Sequence, residues 1–214
     1  MKVTVIGAAG RTGRVLVAQL VAAGHDVTGV VRRESQLPLV AESGAAGVLG
    51  DVEGGERGDL AAVLSGADVV VWAADAPAAD GAGHSERVRD GGVRVVAAAA
   101  ELGVGRWIQI SSMYANRVDD APSVMQASMR NKFAMDDAVE HSGMAWTIVR
   151  PGGLTDGPAF GTVAIAPALP PAMVTRADVA AVVVELVTAG VGEGTEFDLV
   201  NDDRTSVAEA VASL

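Results

Sequence analysis

Cysteine is absent from all 214 residues of the chain, which excludes disulfides, thiol catalysis and cysteine-ligated metals. The three histidines, His25, His84 and His141, are far apart in the sequence and have no metal-binding spacing. Basic residues are outnumbered, and the formal net charge is −11. We therefore expect no general binding to nucleic acid or to an anionic membrane surface. An anionic ligand has to be held by local features such as helix N-termini and single arginines.

Aromatic residues and long hydrophobic runs are also scarce. Aromatic side chains make up 3% of the chain, and no apolar run reaches the ~18 residues of a membrane span. The first predicted strand begins at Lys2, so we expect no signal peptide and a cytoplasmic protein. Half of the residues are hydrophobic, which is enough for a large core in one domain spanning residues 1–214.

The start of the chain carries a strand followed by regularly spaced glycines. Lys2–Ile6 is mostly β-branched and apolar, which is typical of a buried parallel strand. Gly7, Gly10 and Gly13 follow, and an apolar helical pattern comes after them. Such a turn predicts binding of a dinucleotide. The first glycine permits a tight turn, the second lets the backbone approach a pyrophosphate, and the third lets the helix pack against the strand. The free N–H groups and the dipole of the helix would hold the phosphates.

The second predicted strand, residues 25–31, ends on Arg32 and Arg33. In dinucleotide folds this position lies at the adenosine ribose, where an acid binds the 2′-hydroxyl of NAD and an arginine accommodates the 2′-phosphate of NADP. No acid stands at the strand end, so the sequence predicts NADP(H), with Arg32 as the stronger candidate. The alternative is that both arginines are ordinary solvated charges.

Three further strand ends contain candidate binding residues. Asp51 follows a short strand at Ala46–Leu49 and either accepts the exocyclic amine of adenine or only forms a turn. Ala73 and Ala74 end the fourth strand, and their small side chains suit a close approach to the cofactor. Ser111 and Ser112 end the fifth strand, and ligands of open α/β sheets bind at the carboxyl ends of strands.

Strands and helices alternate along the chain. This pattern predicts an α/β fold, a Rossmann-type doubly wound parallel sheet flanked by helices on both faces. After Gly157 the alternation is less regular, with strands expected at Thr162–Ala166 and 195–200 and helices at 175–188 and 205–213. We therefore expect a small C-terminal annex on the substrate side, from about residue 154 to residue 214.

These motifs together resemble a known family. They are the glycine turn 7–13, the arginine pair 32–33, Gly50-Asp51, Ser111-Ser112 and the run 132–157, of which 147–154 (Thr-Ile-Val-Arg-Pro-Gly-Gly-Leu) is the clearest part. The chain resembles the atypical short-chain dehydrogenase/reductases of the NAD(P)-binding, NmrA-like kind, especially the group that includes biliverdin reductase B (flavin reductase). The resemblance covers nearly the whole chain.

The resemblance implies a nicotinamide dinucleotide bound over the carboxyl edge of the sheet, and it implies a role for each matching residue. The pyrophosphate would be held by Gly7, Gly10, Arg11, Thr12 and Gly13, the 2′-phosphate by Arg32 and Arg33, and the adenine by Asp51 and Val52. Ala73 and Ala74 would line the ribose side, Ser111 and Ser112 would face the nicotinamide, Lys132 would bond its ribose, and Pro151, Gly152, Gly153 and Leu154 would contact the carboxamide end.

The chain departs from the wider family at the catalytic tyrosine. That family uses Tyr-x-x-x-Lys, in which the lysine lowers the pKa of a phenol that otherwise titrates near ~10. The residue four positions before Lys132 is Ser128, and an unassisted serine hydroxyl is a poor proton donor. Tyr114, the only tyrosine, either substitutes for it or is a loop residue packed for stability. The catalytic candidates are therefore Ser111, Ser112, Tyr114 and Lys132.

We expect a reductase that transfers hydride from NADP(H) to a small planar or conjugated acceptor such as a quinone, a flavin or an enone. Such acceptors can take their proton from water, so the protein mainly positions the reactants. Residues 76–84, 113–122, 154–160 and 167–174 are expected to form the acceptor pocket. The alternative is a non-catalytic NADP(H)-binding redox regulator. An isomerase or epimerase is less expected, because that chemistry relies on the tyrosine.

Overall fold

The computed structural model describes residues 1–54, 57–76 and 82–214. Its strands are β1 (Lys2–Ile6), β2 (Asp26–Val31), β3 (Ala46–Leu49), β4 (Val69–Trp72), β5 (Arg106–Ile110), β6 (Ala145–Pro151), β7 (Gly153–Thr155), β8 (Thr162–Ala166), β9 (Met173–Thr175) and β10 (Thr195–Ser206). Eight of them form one sheet in the order β3-β2-β1-β4-β5-β6-β10-β8. All pairs in this sheet are parallel except β10 with β8. The first six strands therefore have the Rossmann order.

Helices cover both faces of the sheet. They are α1 (Arg11–Ala22), α2 (Leu37–Ala41), α3 (Arg57–Leu64), α4 (Ala82–Glu101), α5 (Ser123–Glu140), α6 (Arg176–Ala189) and α7 (Val207–Ala212). One apolar core joins the sheet to α1, α2, α6 and α7, and a second joins it to α3, α4 and α5. The predicted doubly wound α/β fold is thereby confirmed. None of the helices in the described ranges is long and apolar enough to span a membrane.

The strands read as continuous apolar runs because both of their faces are covered. In β4, all four residues are buried, and alternate side chains enter the two cores. Val69 and Val71 belong to the core beside α1, and Val70 and Trp72 to the core beside α4. Trp72 stacks on Trp107 of the neighbouring strand with ring centroids 6.2 Å apart. Packing on both faces thus holds the carboxyl ends of these strands in fixed positions.

The structure differs from the sequence-based expectation after residue 151. The short strands β7 and β9 pair with each other in a separate parallel sheet, and neither was predicted. The strand β10 continues to Ser206, beyond the expected end at residue 200, because Ser206 pairs with Thr162 after an irregularity in the register. Its second half is polar and only partly buried, so hydrophobic periodicity gave no signal there. The expected annex therefore contributes two strands to the main sheet.

A buried carboxylate, Asp178, ties the segment before β8 to α6 and β10. It accepts hydrogen bonds from the backbone N–H groups of Phe160 and Gly161, both at 2.9 Å. It also accepts from the Thr175 hydroxyl and the Asn201 amide, both at 2.7 Å. Burial alone would raise the pKa of Asp178, but these hydrogen bonds together hold it below the ordinary value of 3.8.

The carboxylate of Asp178 is expected to make the fold acid-sensitive. Because its folded pKa is depressed, its stabilising contribution is complete above the unfolded pKa and is lost as the pH falls through the lower, folded value. We expect Asp178→Asn to cost about 2 kcal/mol at neutral pH and to reduce the loss of stability on acidification below pH 3.8. Urea unfolding at a series of pH values measures both effects. Asp26→Asn, at an exposed position, is the control. An unchanged acid sensitivity in Asp178→Asn would contradict the assignment.

Candidate functional site

The glycine turn between β1 and α1 has the close backbone contacts that a phosphate-binding turn requires. Gly7 has a φ of +86°, and a Cβ added there would lie 2.6 Å from the backbone nitrogen of Ala74. A Cβ on Gly13 would lie 2.2 Å from the carbonyl oxygen of Gly7. Side chains at these two positions are therefore excluded, by backbone conformation and by space respectively. The turn brings α1 directly against the ends of β1 and β4.

The first turn of α1 is open to an anion. Gly10 caps the helix, so no side-chain oxygen accepts the first N–H groups, and the first turn contains no acid. Free N–H groups and the positive end of the helix dipole then point out of the turn. The fit to a pyrophosphate therefore rests on this open helix start and on the absence of a Cβ at Gly10, which lines the adjacent cleft.

A cleft of about 180 Å³ lies at the point where the strand order reverses, between β1 and β4. Ligands of open α/β sheets bind at such a switch point. Six of the predicted cofactor residues line the cleft, namely Gly7, Gly10, Arg32, Val52, Ala73 and Ala74. Gln36, Glu53 and Asp75 also line it and were not predicted.

A cluster of charges surrounds Glu53 at the adenosine end of this cleft. Its carboxylate accepts a hydrogen bond from the guanidinium of Arg32. It also lies 2.9 Å from Nε2 of His84 and 3.5 Å from Nε of Arg87. The Glu53 side chain is 13% exposed and the Arg32 side chain 44%. The guanidinium expected to meet the 2′-phosphate is thus already paired with a carboxylate.

Lys132 lies close to the cleft through its partner Asp75, which is one of the cleft's lining residues. Its ammonium group lies 3.0 Å from the carboxylate of Asp75, and its side chain is 16% exposed. A second cavity is lined by Lys132, Asn131 and Gln109 among others. Ala74, Asp75 and Val88 line both cavities, so the two cavities are adjacent, and together we call them the groove.

The hydroxyl of Ser111 is directed at a buried acid on α5. Its Oγ donates to Oδ2 of Asp136 over 2.6 Å, and its backbone N–H donates to the carbonyl of Val149. Burial raises the pKa of Asp136 to about 7. Ser112 is half-buried, and its carbonyl accepts the N–H of Ala115. The two predicted serines therefore lie at the end of β5 in different surroundings.

The remaining predicted residues of the helix start lie outside the lining of the cleft. Arg11 is exposed, and its guanidinium lies 3.3 Å from the carboxylate of Asp156, which also pairs with Arg176 at 2.7 Å. Thr12 is half-buried in the first turn of α1. This ion pair links α1 to the segment that follows β7.

Two polar residues expected at the adenosine have local roles in the structure. The carboxylate of Asp51 accepts the backbone N–H of Glu53 at 3.0 Å, as a turn-forming aspartate does. Arg33 is exposed and precedes a short 3₁₀ turn at Glu34–Gln36. Of the arginine pair, only Arg32 lines the cleft.

The segment 151–154 connects the main sheet to the two-stranded sheet. Pro151 is the last residue of β6, and a Cβ on Gly152 would lie 2.2 Å from the carbonyl oxygen of Ala172. The glycine therefore permits the close approach of the segment before β9. Leu154 is 37% exposed and belongs to β7. Within the loops predicted to form the acceptor pocket, residues 77–81 lie outside the described part of the chain.

Tyr114 adopts a left-handed backbone conformation with a φ of +75°. Such a conformation is strained for a bulky residue and requires support from its surroundings. The guanidinium of Arg117 lies 5.3 Å from the centre of its ring, and Arg117 is itself paired with the buried Asp198. The only tyrosine of the chain is thus held in a defined position at the end of the fifth strand.

The main residues that the sequence did not reveal are Glu53 and Asp136. Asp136 follows Lys132 by four positions, so the helical repeat places both on one face of α5. A charged residue on the buried face of a predicted helix could therefore have marked Asp136 as a candidate from the sequence. Glu53 follows a turn with no helical or strand periodicity, and its pairing with Arg32 depends on how two distant loops meet.

The fold and the groove define a nicotinamide dinucleotide-binding protein of the Rossmann type. A family model described as NAD(P)H-binding matches residues 7–189, and the chain belongs to this family. The match confirms the resemblance to the atypical short-chain dehydrogenase/reductases of the NmrA-like kind.

Three relatives illustrate the range of this family. YhfK of Bacillus subtilis, named an uncharacterized sugar epimerase, is 33% identical over 216 residues and covers 100% of both chains. A solved Bacillus halodurans structure, named a candidate NAD-dependent epimerase/dehydratase, is 32% identical over 100% of both chains, with a TM-score of 0.92. The (4-alkanoyl-5-oxo-2,5-dihydrofuran-3-yl)methyl phosphate reductase of Streptomyces griseus is 29% identical over 99% of this chain and 72% of its own.

Proposed function

We propose that the protein is an NADP(H)-dependent oxidoreductase that transfers hydride from the nicotinamide to a small planar or conjugated acceptor. The observation that carries this proposal is the pair of adjacent cavities at the carboxyl edge of the sheet, with Arg32 and the glycine turn lining one and Lys132 lining the other. A dinucleotide bound along the two cavities would have its 2′-phosphate at Arg32 and its nicotinamide ribose at Lys132. The absence of an acid at the end of β2 favours NADP over NAD.

The residues of the groove bind and orient the cofactor. The first turn of α1 would hold the pyrophosphate. The guanidinium of Arg32 would bind the 2′-phosphate in place of the carboxylate of Glu53. Lys132 would donate to the ribose hydroxyls, with Asp75 fixing the position of its ammonium group. When bound, NADPH supplies the hydride. The protein contributes mainly by placing the donor and the acceptor in contact.

The type of acceptor is inferred from the absence of the family's catalytic tyrosine. Ser128 stands where the wider family has tyrosine, so an acceptor that needs little help with its proton is favoured. The Streptomyces griseus relative supports an enone, because the compound in its name has a ring double bond conjugated with carbonyl groups. The exposed apolar side chains of Leu154, Phe160 and Met173, beyond the end of β6, suit a planar ligand.

The names of two relatives raise an epimerase as an alternative. In that chemistry a tyrosine next to the lysine removes a proton from a substrate hydroxyl. Here the residue in that position is Ser128, and Tyr114 is held by Arg117 in a different loop. We therefore favour net reduction, with consumption of NADPH, over a cycle that regenerates it.

The test is NADPH oxidation with quinones, flavins and enones, followed as loss of absorbance. We expect steady turnover with at least one acceptor, and Lys132→Met should lower kcat/KM by about 10- to 100-fold, because a hydrogen bond from a charged group contributes about 1.5–3 kcal/mol. Arg130→Met removes an exposed cation two residues away and should leave the rate unchanged. Absence of turnover with the whole panel, despite tight NADPH binding, would contradict the proposal.

A non-catalytic redox regulator is the second candidate, and Ser128 is the observation that favours it. A regulator would bind NADP or NADPH without turnover and would distinguish the oxidised from the reduced form. Calorimetric titration with both forms, alongside the turnover assay, separates the two proposals. A partner that is retained in only one redox state would support the regulator.

A further inference from the structure

The buried Ser111–Asp136 pair has a feature that packing does not explain. Asp136 is 3% exposed and Ser111 5% exposed. Ser111 donates to Oδ2 of Asp136, but Oδ1 is buried and has no hydrogen-bond partner among the described residues. A buried carboxyl oxygen without a partner is unusual in folded proteins and calls for an explanation.

The pair lies next to the second cavity of the groove. Ile110, which precedes Ser111, lines the second cavity, and so do Met135 and Lys132 on α5. Ser128, Lys132 and Asp136 are spaced by four residues, so they follow one face of α5. The wider family has its tyrosine one helical turn before the lysine, whereas this chain has a carboxyl group, that of Asp136, one turn after it.

The charged groups that face Asp136 come from three elements. Lys132 is on α5, Arg150 on β6 and Glu196 on β10. Burial is the largest effect and raises the pKa of Asp136 to about 7. The hydrogen bond from Ser111 and the charges of Lys132 and Arg150 act in the opposite direction, and Glu196 raises the pKa further. Protonated and ionised forms of Asp136 are therefore both populated near neutral pH.

Protonation of Asp136 changes what Ser111 can do. A carboxylate only accepts hydrogen bonds, so Ser111 has to donate its single hydroxyl hydrogen to it. A protonated Asp136 can donate to the oxygen of Ser111 instead. The hydroxyl hydrogen of Ser111 is then available to another acceptor.

We propose that Asp136 stores the proton for the reduction and delivers it to the acceptor through the hydroxyl of Ser111. The inference rests on the proposed reductase function. Ser111 is then the catalytic group that touches the acceptor, and Asp136 acts through it. The wider family has a tyrosine where this chain has Ser128. In this arrangement the carboxylic acid of Asp136, one turn after Lys132, takes the place of that tyrosine as the proton donor.

The proton and electron balance is complete for an enone. Hydride adds to the β-carbon, the electron pair of the carbon–carbon double bond forms a new double bond to the carbonyl carbon, and the carbonyl π pair moves to the oxygen, which becomes the hydroxyl of an enol that rearranges to the ketone in water. The O–H bond of Ser111 breaks as its proton bonds to that oxygen, and the proton of Asp136 moves to the oxygen of Ser111. Asp136 is left as a carboxylate and takes a proton from water before the next turnover. The acceptor gains the two electrons that NADPH loses.

The first test needs no turnover. Carboxyl groups labelled with ¹³C at Asp are titrated by NMR, and we expect one aspartate of the wild-type protein to titrate near pH 7. That signal should disappear in Asp136→Asn and remain in Asp137→Asn, which changes the neighbouring, exposed aspartate. If every aspartate of the wild-type protein titrates only at ordinary acidic pH, the proposal is overturned, whether or not the variants fold.

The second test is the pH dependence of single-turnover NADPH oxidation with an enone. The rate should fall tenfold per pH unit above about pH 7, as the protonated form is lost. In Asp136→Asn and Ser111→Ala we expect a rate about 100-fold lower, without that pH dependence and with little change in NADPH affinity. Asp137→Asn should behave as wild type.

The outcomes separate the two proposals. A wild-type protein that reduces the enone with no inflection near pH 7, or an Asp136→Asn variant that keeps it, overturns the role of Asp136 and leaves the reductase standing. A wild-type protein that binds NADPH and reduces no acceptor at any pH contradicts the reductase, and the proton relay fails with it.

Discussion

Replacement of Arg32 with alanine is expected to weaken NADPH binding by about 10- to 100-fold and to leave NADH binding almost unchanged. A hydrogen bond between charged groups contributes about 1.5–3 kcal/mol, and about 1.4 kcal/mol corresponds to a tenfold change in affinity. The two dinucleotides differ only in the 2′-phosphate, so the loss falls on NADPH alone. Isothermal titration calorimetry with both dinucleotides measures the ratio of affinities.

Glu53 should act in the opposite direction. Its carboxylate holds the guanidinium of Arg32, so a 2′-phosphate has to displace it and remain close to its negative charge. Glu53→Gln keeps the size of the side chain and removes that charge. We expect the variant to bind NADPH severalfold more tightly, and the gain should shrink at high ionic strength.

The control for Arg32→Ala is the adjacent Arg33→Ala. Arg33 has the same charge but is exposed and does not line the cleft. Its loss should reduce NADPH affinity much less than the loss of Arg32. Equal losses for NADPH and NADH in Arg32→Ala, or a larger effect of Arg33→Ala, would place the 2′-phosphate elsewhere.

Removal of the Asp198 carboxylate is expected to produce a large loss of stability. Arg150 is fully buried, and its Nε donates to Asp198 at 3.0 Å. Asp198 also accepts from Arg117 and from the backbone N–H of Leu169. Among the described residues, Asp198→Ala leaves Arg150 with its hydrogen bonds to Glu196 and to the backbone carbonyl of Pro167. Removing one partner of a buried ion pair costs about 3–5 kcal/mol.

Thermal and urea unfolding measure this loss. For a chain of this size we expect the melting temperature to fall by about 10 °C. The matched control is Asp203→Ala in the same strand, because Asp203 is 94% exposed in its pair with Arg204, and surface changes usually stay within about 0.5 kcal/mol. A similar small effect in both variants would mean that the remaining contacts of Arg150 are sufficient. Because Arg117 holds the ring of Tyr114, Asp198→Ala should also loosen the turn at the end of β5.

The core of the fold could be predicted from local patterns. Seven strands of the main sheet were expected within one or two residues of their observed bounds. The central ones are the clearest, because strands buried on both faces read as short apolar runs. The glycine turn was predictable for a similar reason, since a Cβ at Gly7 or Gly13 would overlap neighbouring backbone atoms. The polar end of β10 and the strands β7 and β9 were missed, because backbone pairing rather than hydrophobic periodicity defines them.

The candidate site was predictable where it is built from strand ends. Parallel strands bring their carboxyl ends to one edge of the sheet, so Gly7, Arg32 and Ala74 could be expected near one another before any contact was known. The partners of their charged neighbours were not predictable in this way. Lys132 and Asp75 are separated by more than fifty residues, and nothing in their spacing indicates that they form an ion pair.

Short-range patterns in the chain were therefore sufficient to identify the class of fold and a nicotinamide dinucleotide as the kind of ligand, because each depends on neighbouring residues or on the known geometry of parallel strands. The same patterns predict Arg32 at the 2′-phosphate. The tertiary structure was needed to find the ion pairs of Glu53 with Arg32 and of Asp75 with Lys132, and the hydrogen bond from Ser111 to Asp136. These pairings join segments far apart in sequence. The raised pKa of Asp136 depends on burial, which arises only when the helices pack on the sheet.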